Sequence, residues 1–308
     1  MQPIFLLGPQ RFDPTVATVL RECRPEGPVA VVTAGWQERE QEVDELREHL
    51  KREIVNLRLY ERSEKILSND AELADALQRK QRQLRDLQEL YRFRLEHAME
   101  STREMMRLDG RKPLVFEHRQ SAIRALRTLD RQHLTRIRRI HREFDEEWSP
   151  KSRSVVAEQI SEVETELSRV GSLAIAGGHV AILLNRLRLF GLSERFRELP
   201  IFAWSAGAMA LTERVVLFHD RPPQGAGNAE VLDSGLGLAT GLLALPHATE
   251  RLALEDPVRV ALMARRFRPD MTALLDPGAI FEHTEQGWRG RTSAQTLTPR
   301  GAIVAVRQ

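Results

Sequence analysis

The sequence predicts an α/β fold, a mostly parallel sheet flanked by helices, with an inserted antiparallel helical or coiled-coil hairpin. Two observations support this prediction. Short apolar runs such as PVAVVTAG, at residues 28–35, alternate with helical segments near both ends of the chain, as strands buried in a parallel sheet do. Residues 63–169 instead contain one glycine, Gly110, and many charged helix formers. We therefore expect a discontinuous core, residues 1–62 and 172–308, around a helical insertion at 63–171.

The core elements follow in alternation. Before the insertion we expect strands at residues 3–7, 29–33 and 54–59, with helices at 15–22 and about 38–52 between them. After it, the strand SLAIAGG begins at Ser172, a helix covers about 180–189, a strand starts at Ile201 and a helix starts at Ala206. This alternation is typical of α/β proteins. From Thr272 onward, short runs separated by glycine turns predict an antiparallel edge.

The insertion has a helical seam. Leu77, Leu84, Tyr91, Ala98 and Met105 recur every seven residues, which is the repeat of a coiled coil or helical hairpin. A break at residues 109–113 precedes a second helix that ends near 149–150, and a third apolar stripe covers 156–167. We expect an antiparallel bundle that projects from the core and buries its seam internally, in a homo-oligomer or against a protein partner.

Charge and cysteine content exclude several classes of protein. The 46 basic and 44 acidic residues nearly cancel, giving a net charge of +2, which argues against a dedicated nucleic-acid binder. The single cysteine, Cys23, allows neither an internal disulfide nor a thiolate zinc cluster, and it indicates a reducing cytoplasm. No apolar run approaches the roughly 20 residues that cross a bilayer. We expect a cytoplasmic protein without membrane or nucleic-acid partners.

The segment LPIFAWSAGAMAL, residues 199–211, predicts a nucleophilic serine. It is a buried strand that enters a helix through Ser205, and such a sharp turn exposes a hydroxyl while the next N–H, of Ala206, faces a developing oxyanion. A plain strand-to-helix connection is the alternative. Gly178 follows another strand directly and offers a second N–H donor, and His247 ends an apolar segment where it could act as the general base.

The order of these motifs resembles a known family. A strand followed by GG, then SAGA, then GLGL and a Pro-His pair is similar to dipeptidase E and cyanophycinase, serine peptidases on a scaffold like that of class I glutamine amidotransferases. The resemblance covers residues 2–59 and 172–308. It implies a catalytic Ser205, His247 and Asp220, an oxyanion hole from Gly178 and Ala206, and small acidic peptides as substrates. It implies no cofactor and no metal.

The sequence also departs from the family pattern. His179 stands where relatives carry asparagine or aspartate, which implies a changed substrate pocket. Asp276 is the alternative triad acid, since cyanophycinase-like members take the acid from the C-terminal part, and His219 is the alternative base. Arg251 resembles a position that could hold a substrate carboxylate.

Aromatic and histidine side chains have competing roles. Trp204, like Trp36, ends a predicted strand and could line the substrate site, although core packing is the competing role. Three histidines of the insertion, at positions 118, 133 and 141, lack carboxylates at ligand spacing, so we expect no metal site.

Other classes of function compete with a serine peptidase. A glutamine amidotransferase needs a cysteine at the turn, where this chain has Ser205, so that activity is excluded. The second alternative is a catalytically altered scaffold whose helical arm mediates partner binding or oligomerisation. The arginines between residues 119 and 142 are interspersed with acids, which favours a solvated helix face over a phosphate-binding stripe.

Overall fold

A computed structural model of the chain describes residues 2–109, 111–220, 227–291 and 293–306. Its strands are β1 Ile4–Leu7, β2 Val29–Val32, β3 Ile54–Asn56, β4 Ser172–Ile175, β5 Ile201–Trp204, β6 Arg214–Leu217, β7 Glu230–Ser234, β8 Leu242–Pro246, β9 Met271–Leu275, β10 Ile280–Thr284, β11 Gly287–Gly290, β12 Gln295–Leu297 and β13 Ile303–Ala305. Its helices are α1 Val16–Cys23, α2 Asp44–Leu50, α3 Leu59–Asn69, α4 Ala71–Arg107, α5 Pro113–Trp148, α6 Ser154–Leu167, α7 Val180–Phe190, α8 Ser193–Phe196, α9 Ala206–Leu211, α10 Ala248–Arg251 and α11 Pro257–Phe267, with 3-10 helices at Ala34–Arg39 and Pro150–Ser152.

The predicted fold class is confirmed. The main sheet has the strand order β11-β10-β1-β5-β4-β2-β3, in which β1, β5, β4, β2 and β3 run parallel. The expected antiparallel edge exists as β10 and β11. β1, β2, β4 and β5 are wholly buried, because helices cover both faces of a parallel sheet. The carboxyl ends of β1, β5 and β4 therefore meet at one edge.

A second sheet lies beside the first. Its order is β13-β12-β9-β8, and β8 runs parallel to β9 with Pro246 opposite Leu275. β6 and β7 form a separate antiparallel pair. The tail after residue 272 is therefore divided between the two sheets, a division that the short strands of the sequence do not indicate.

The insertion contains the expected hairpin, made by α4 and α5. Pro113 is at the first position of α5, and Ser149 ends that helix in a left-handed conformation. Gly110, part of the expected break, lies outside the described residues. The hairpin does not stand free of the core, because Tyr91 and Leu126 join one apolar cluster with Phe267 of α11.

A buried polar network fastens the hairpin to the core. Arg266 of α11 donates to both carboxylate oxygens of Asp130 on α5 at 2.7 Å and to the Tyr91 hydroxyl on α4 at 2.9 Å. The side chains of Arg266 and Asp130 are 1% and 5% exposed. Breaking such a buried pair by removing one partner costs roughly 3–5 kcal/mol, so the relative position of hairpin and core is strongly specified.

The third helix of the insertion differs from the expected bundle. Val156, Val163 and Leu167 of α6 are fully buried in the cluster that includes the main sheet. Arg62 of α3 is also buried and donates to Gln159 of α6 at 3.0 Å. The apolar stripe of α6 thus packs into the core cluster together with Leu59 and Ile66 of α3, where it buries more apolar surface than a three-helix bundle standing away from the core would.

Two arginines of α5 cap the carboxyl ends of other helices. Arg127 donates to the carbonyl oxygens of Arg265 and Arg268 at the end of α11, at 3.0 and 2.9 Å. Arg119 donates to the carbonyl of Met106 at the end of α4, at 3.1 Å. Helix carboxyl ends carry unpaired carbonyls and a partial negative charge, so cations stabilise them. These contacts give two of the arginines a structural role.

Across the described ranges, no helix combines the length and the apolar character that crossing a bilayer requires.

Candidate active site

The turn that carries Ser205 joins β5 to α9. Ser205 has φ 51° and ψ −122°, a conformation that residues other than glycine adopt only under strain. Its neighbours Trp204 and Ala206 are buried, whereas Ser205 is partly exposed. The Ser205 side chain does not cap α9. The strained turn therefore holds a serine that is partly open to solvent at the carboxyl edge of the main sheet.

Two glycines pack against this turn. A Cβ added to Gly177 would lie 2.8 Å from Ser205 Cβ and 3.5 Å from its Oγ, and 3.6 Å from the backbone nitrogen of Ala206. Gly178 has φ 109°, and a Cβ there would collide with the carbonyl oxygen of Gly35. Only glycine fits these two positions. Gly177 thus lies directly beside the Ser205 hydroxyl and the Ala206 N–H, one of the first N–H groups of α9, which have no acceptor within the helix, and Gly178 follows it in the chain.

His247 lies at the same edge of the molecule. It follows β8 in the left-handed conformation, and its N–H donates to the carbonyl of Leu275 at 3.2 Å. The next residue, Asp276, packs against Gly8, where a Cβ would collide with the Asp276 carbonyl oxygen. Gly8 and Ser205 lie side by side, because the residues before them, the last of β1 and β5, are paired in parallel register.

The surroundings of His247 favour its neutral form. Burial lowers the pKa of the imidazole, and the charge of Arg251 lowers it further, while Glu250 and Asp276 oppose both effects. The Nδ1 atom is 3.5 Å from the carboxylate of Glu250, which is 75% exposed. A lowered pKa leaves the imidazole unprotonated near neutral pH, the state in which it can accept a proton.

The two candidate acids have different partners. Asp276 accepts hydrogen bonds from the Thr249 N–H at 3.0 Å and the Thr249 hydroxyl at 2.7 Å, and its charge acts on His247. Asp220 forms an ion pair with Arg259 at 2.9 Å and accepts from the Ala253 N–H at 3.2 Å. The Asp276 carboxylate thus binds Thr249, two residues after His247, whereas the Asp220 carboxylate binds Arg259 and the segment beyond α10.

Arg251 carries a positive charge close to His247. It is half-buried at the end of α10, and its N–H donates to the His247 carbonyl at 3.0 Å. Burial lowers the pKa of Arg251. Burial is also the largest cause that lowers the pKa of His247 and of the exposed His219, and the charge of Arg251 is the second cause in both. An incompletely hydrated guanidinium beside two imidazoles is a suitable group for binding a carboxylate.

The remaining sequence candidates lie in contrasting environments. His179 is exposed, and its backbone N–H donates to the Gly35 carbonyl at 2.8 Å. Its Nδ1 atom accepts from the Ile182 N–H at 3.3 Å and so caps the start of α7. Trp204 is only 7% exposed and packs with Phe5 and Phe202 in an apolar cluster. These positions favour a surface role for His179 near the Gly178 backbone and a packing role for Trp204.

The sequence did not predict a role for two residues at this edge. Glu250 contacts His247, and its only sequence signal is the three-residue spacing that brings side chains together on a helix. Gln37 has φ 59° and ψ −126°, close to the values at Ser205, in the 3-10 helix that contains Gly35. Nothing in the sequence indicates that strain.

The fold has a relative among solved structures. Over its full length the chain is similar to the crystal structure of a peptidase from an acI-B1 Actinobacterium, with a TM-score of 0.51, 11% sequence identity and coverage of 96% of that chain. No family model matches the sequence, and no curated protein does either. The likeness shows a similar overall fold.

Proposed function

We propose that this protein is a serine peptidase that hydrolyses amide bonds of small peptides, with Ser205 as nucleophile and His247 as general base. The observation that carries the proposal is the strained conformation of Ser205 at the strand-to-helix turn, directly beside Gly177. Backbone strain of this kind concentrates at functional sites. The structural relative, itself a peptidase, is consistent with the same class of chemistry.

The proposed reaction has two halves. His247 accepts the Ser205 hydroxyl proton while the oxygen attacks the carbonyl carbon, and the N–H groups of Ala206 and Gly178 stabilise the tetrahedral oxyanion. The protonated imidazole then gives its proton to the leaving amine, which departs as the acyl-enzyme forms. A water molecule, deprotonated by the same imidazole, attacks the ester carbonyl. The imidazolium returns that proton to the Ser205 oxygen as the acyl–oxygen bond breaks, which releases the acid and restores the free enzyme.

Asp276 is the better supported of the two candidate acids. Its carboxylate is held by two hydrogen bonds from Thr249, only two residues after the base, and its charge acts on His247. Asp220 matches the dipeptidase E spacing, but its carboxylate is bonded to Arg259 and to the Ala253 N–H. We therefore assign the orienting role to Asp276, with Glu250 as a more exposed neighbour of the same imidazole.

Arg251 supports a preference for acidic peptides. Its guanidinium is half-buried and acts electrostatically on His247, so a carboxylate on the substrate could bind it close to the proposed base. Charge-assisted hydrogen bonds to carboxylates contribute about 1.5–3 kcal/mol. An aspartyl dipeptide should accordingly be cleaved about tenfold or more faster, in kcat/KM, than its asparaginyl counterpart, and Arg251→Gln should remove that difference.

Covalent labelling tests the proposal. The purified chain should be labelled by a fluorophosphonate at Ser205, as mapped by mass spectrometry of the digested protein. His247→Ala should suppress labelling, whereas His219→Ala, the matched histidine control, should not. Labelling confined to another residue, or absence of both labelling and peptide hydrolysis in folded protein, would refute the assignment.

The surface of the hairpin supports a second candidate function, partner binding or self-association through the arm. Leu90 and Phe93 on α4 are 67% and 66% exposed, and Leu114 and Phe116 on α5 are 67% and 51% exposed. Large apolar side chains exposed on the surface of a protein often mark interaction sites when they form a patch. Sedimentation velocity of the wild type and Phe93→Glu tests this function, since a monomer in both cases would argue against self-association.

A further inference from the structure

A cleft lies where the helical hairpin meets α11, beyond the carboxyl end of α10. Its cavity volume is about 40 Å³, and the rest of the cleft opens to solvent. Its apolar wall includes Met99 of α4, Leu252, and Val260 and Met263 of α11. A mostly apolar cleft with a few polar groups at one side is the usual form of a small-molecule site.

The polar side of the cleft carries more positive than negative charge. Arg259 forms an ion pair with Asp220 at 2.9 Å. Arg103 has neutral partners, the amide oxygen of Asn228 and, at 3.3 Å, the carbonyl of Met99. Among the described residues that line the cleft, the guanidinium groups of Arg103 and Arg259 thus face one unmatched carboxylate, that of Asp220, and the charge of Glu100 acts on Arg103 from outside the lining. Arg266 also lines the cleft, but its charge is matched by Asp130.

The surroundings of Arg103 favour an anionic ligand. Burial lowers the pKa of Arg103, and the nearby charge of Arg259 lowers it further, while Asp220 acts in the opposite direction. A partly desolvated cation next to a second cation is stabilised by an added anion. A carboxylate suits a guanidinium, because the two form paired hydrogen bonds.

We propose that this cleft binds a short apolar carboxylic acid, with the apolar group against Met99, Leu252 and Met263 and the carboxylate on Arg103. The C-terminal residue of a peptide with an apolar side chain has this chemistry, and so does a free branched-chain acid. The inference does not depend on Ser205 or His247, since none of the residues that line the cleft is part of the proposed catalytic group.

The cleft nevertheless adjoins the proposed active site. Leu252 and Ala253 directly follow Arg251, and the Asp220 N–H donates to the Arg251 carbonyl at 2.7 Å. Asp220 thus links the Arg259 side of the cleft to the helix that begins after His247. The backbone of Asp220 thus holds α10, and its carboxylate holds Arg259 and the Ala253 N–H, so Asp220 positions the cleft relative to α10.

Calorimetric titration of the full chain tests the inference. The probes are acetyl-Ala-Leu, its C-terminal amide as the matched neutral control, and isocaproate, with Ser205→Ala as the host so that no probe is hydrolysed. We expect acetyl-Ala-Leu to bind about tenfold more tightly than the amide, as a charge-assisted hydrogen bond implies. Binding of acetyl-Ala-Leu alone identifies a peptide terminus as the ligand, and binding of isocaproate as well extends the site to free acids.

Three further substitutions in that host locate the binding site. Arg103→Gln should weaken binding of the acid about tenfold and leave that of the amide unchanged, and Ala253→Trp should fill the cleft and abolish both. Arg251→Gln should change neither. The proposal would be overturned if the acid and the amide bound with equal affinity, or if Arg103→Gln bound the acid as tightly as the host does. Loss of binding in Arg251→Gln, or no binding at millimolar concentrations of the probes, would overturn it as well. Failure of the peptidase assignment alone would leave these results unchanged.

Discussion

Replacing Ser205 by glycine should stabilise the protein while removing the proposed activity. The residue has φ 51° and ψ −122°, where any side chain with a Cβ is strained, by about 1–3 kcal/mol. Ser205→Gly removes the Cβ and with it the strain. Ser205→Ala keeps the Cβ, so it should lose the same activity without the gain in stability. The pair separates the conformational role of position 205 from its chemical role.

The expected gain can be estimated from the strain and from the unfolded state. Glycine loses more conformational entropy on folding, which costs about 0.4–1 kcal/mol, so the net stabilisation of Ser205→Gly over Ser205→Ala should be about 1 kcal/mol. An unfolding entropy of about 2.1 cal/mol/K per residue across 308 residues converts this free energy to an increase in Tm of about 1–2 °C.

Thermal unfolding of both variants at one scan rate, with hydrolysis measured in parallel, checks this expectation. Gln37→Gly is the control, because Gln37 has nearly the same strained dihedral angles, φ 59° and ψ −126°, outside the proposed catalytic group. It should show a similar increase in Tm. A Ser205→Gly protein less stable than Ser205→Ala would show that position 205 is not strained, and the argument for a functional turn would fail.

Three other outcomes are expected. Gly177→Ala should reduce hydrolysis at least tenfold, because its Cβ would lie 2.8 Å from that of the serine; retained activity would exclude this geometry. The pH profile of kcat/KM should have an acidic limb below pH 6.5, since the pKa of His247 is lowered, and Arg251→Gln should move that limb to higher pH by removing a cation; an unmoved limb would contradict the assignment. Burial lowers the pKa of His133 to about 4, so the folded state binds fewer protons than the unfolded one. Stability should then be retained above pH 6.5 and fall by about 2 kcal/mol between pH 6.5 and pH 4. Urea titrations should show a smaller fall in His133→Gln.

The local signals in the sequence were strong where one segment determines its own structure. The apolar run at 29–32 could only be a buried strand, and it is one, with every residue at 0% exposure. The charged stretch at 63–169, with its single glycine, was predicted to be helical, and Pro113 and Ser149 limit α5 as expected. The serine turn was located because strand, small residues and helix are contiguous at 199–211. Periodicity and turn chemistry are local properties, so a single sequence contains them.

Only the tertiary structure decided which distant groups meet. The spacing of Asp220 from Ser205 suggested a triad acid, yet its carboxylate binds Arg259, and Asp276 is the aspartate whose charge acts on His247. The stripe of α6 packs with α3 in the core cluster instead of forming a bundle that projects from the core. Strand order and helix packing place such groups, and these depend on contacts between residues far apart in the chain, for which no local pattern of side chains carries a signal.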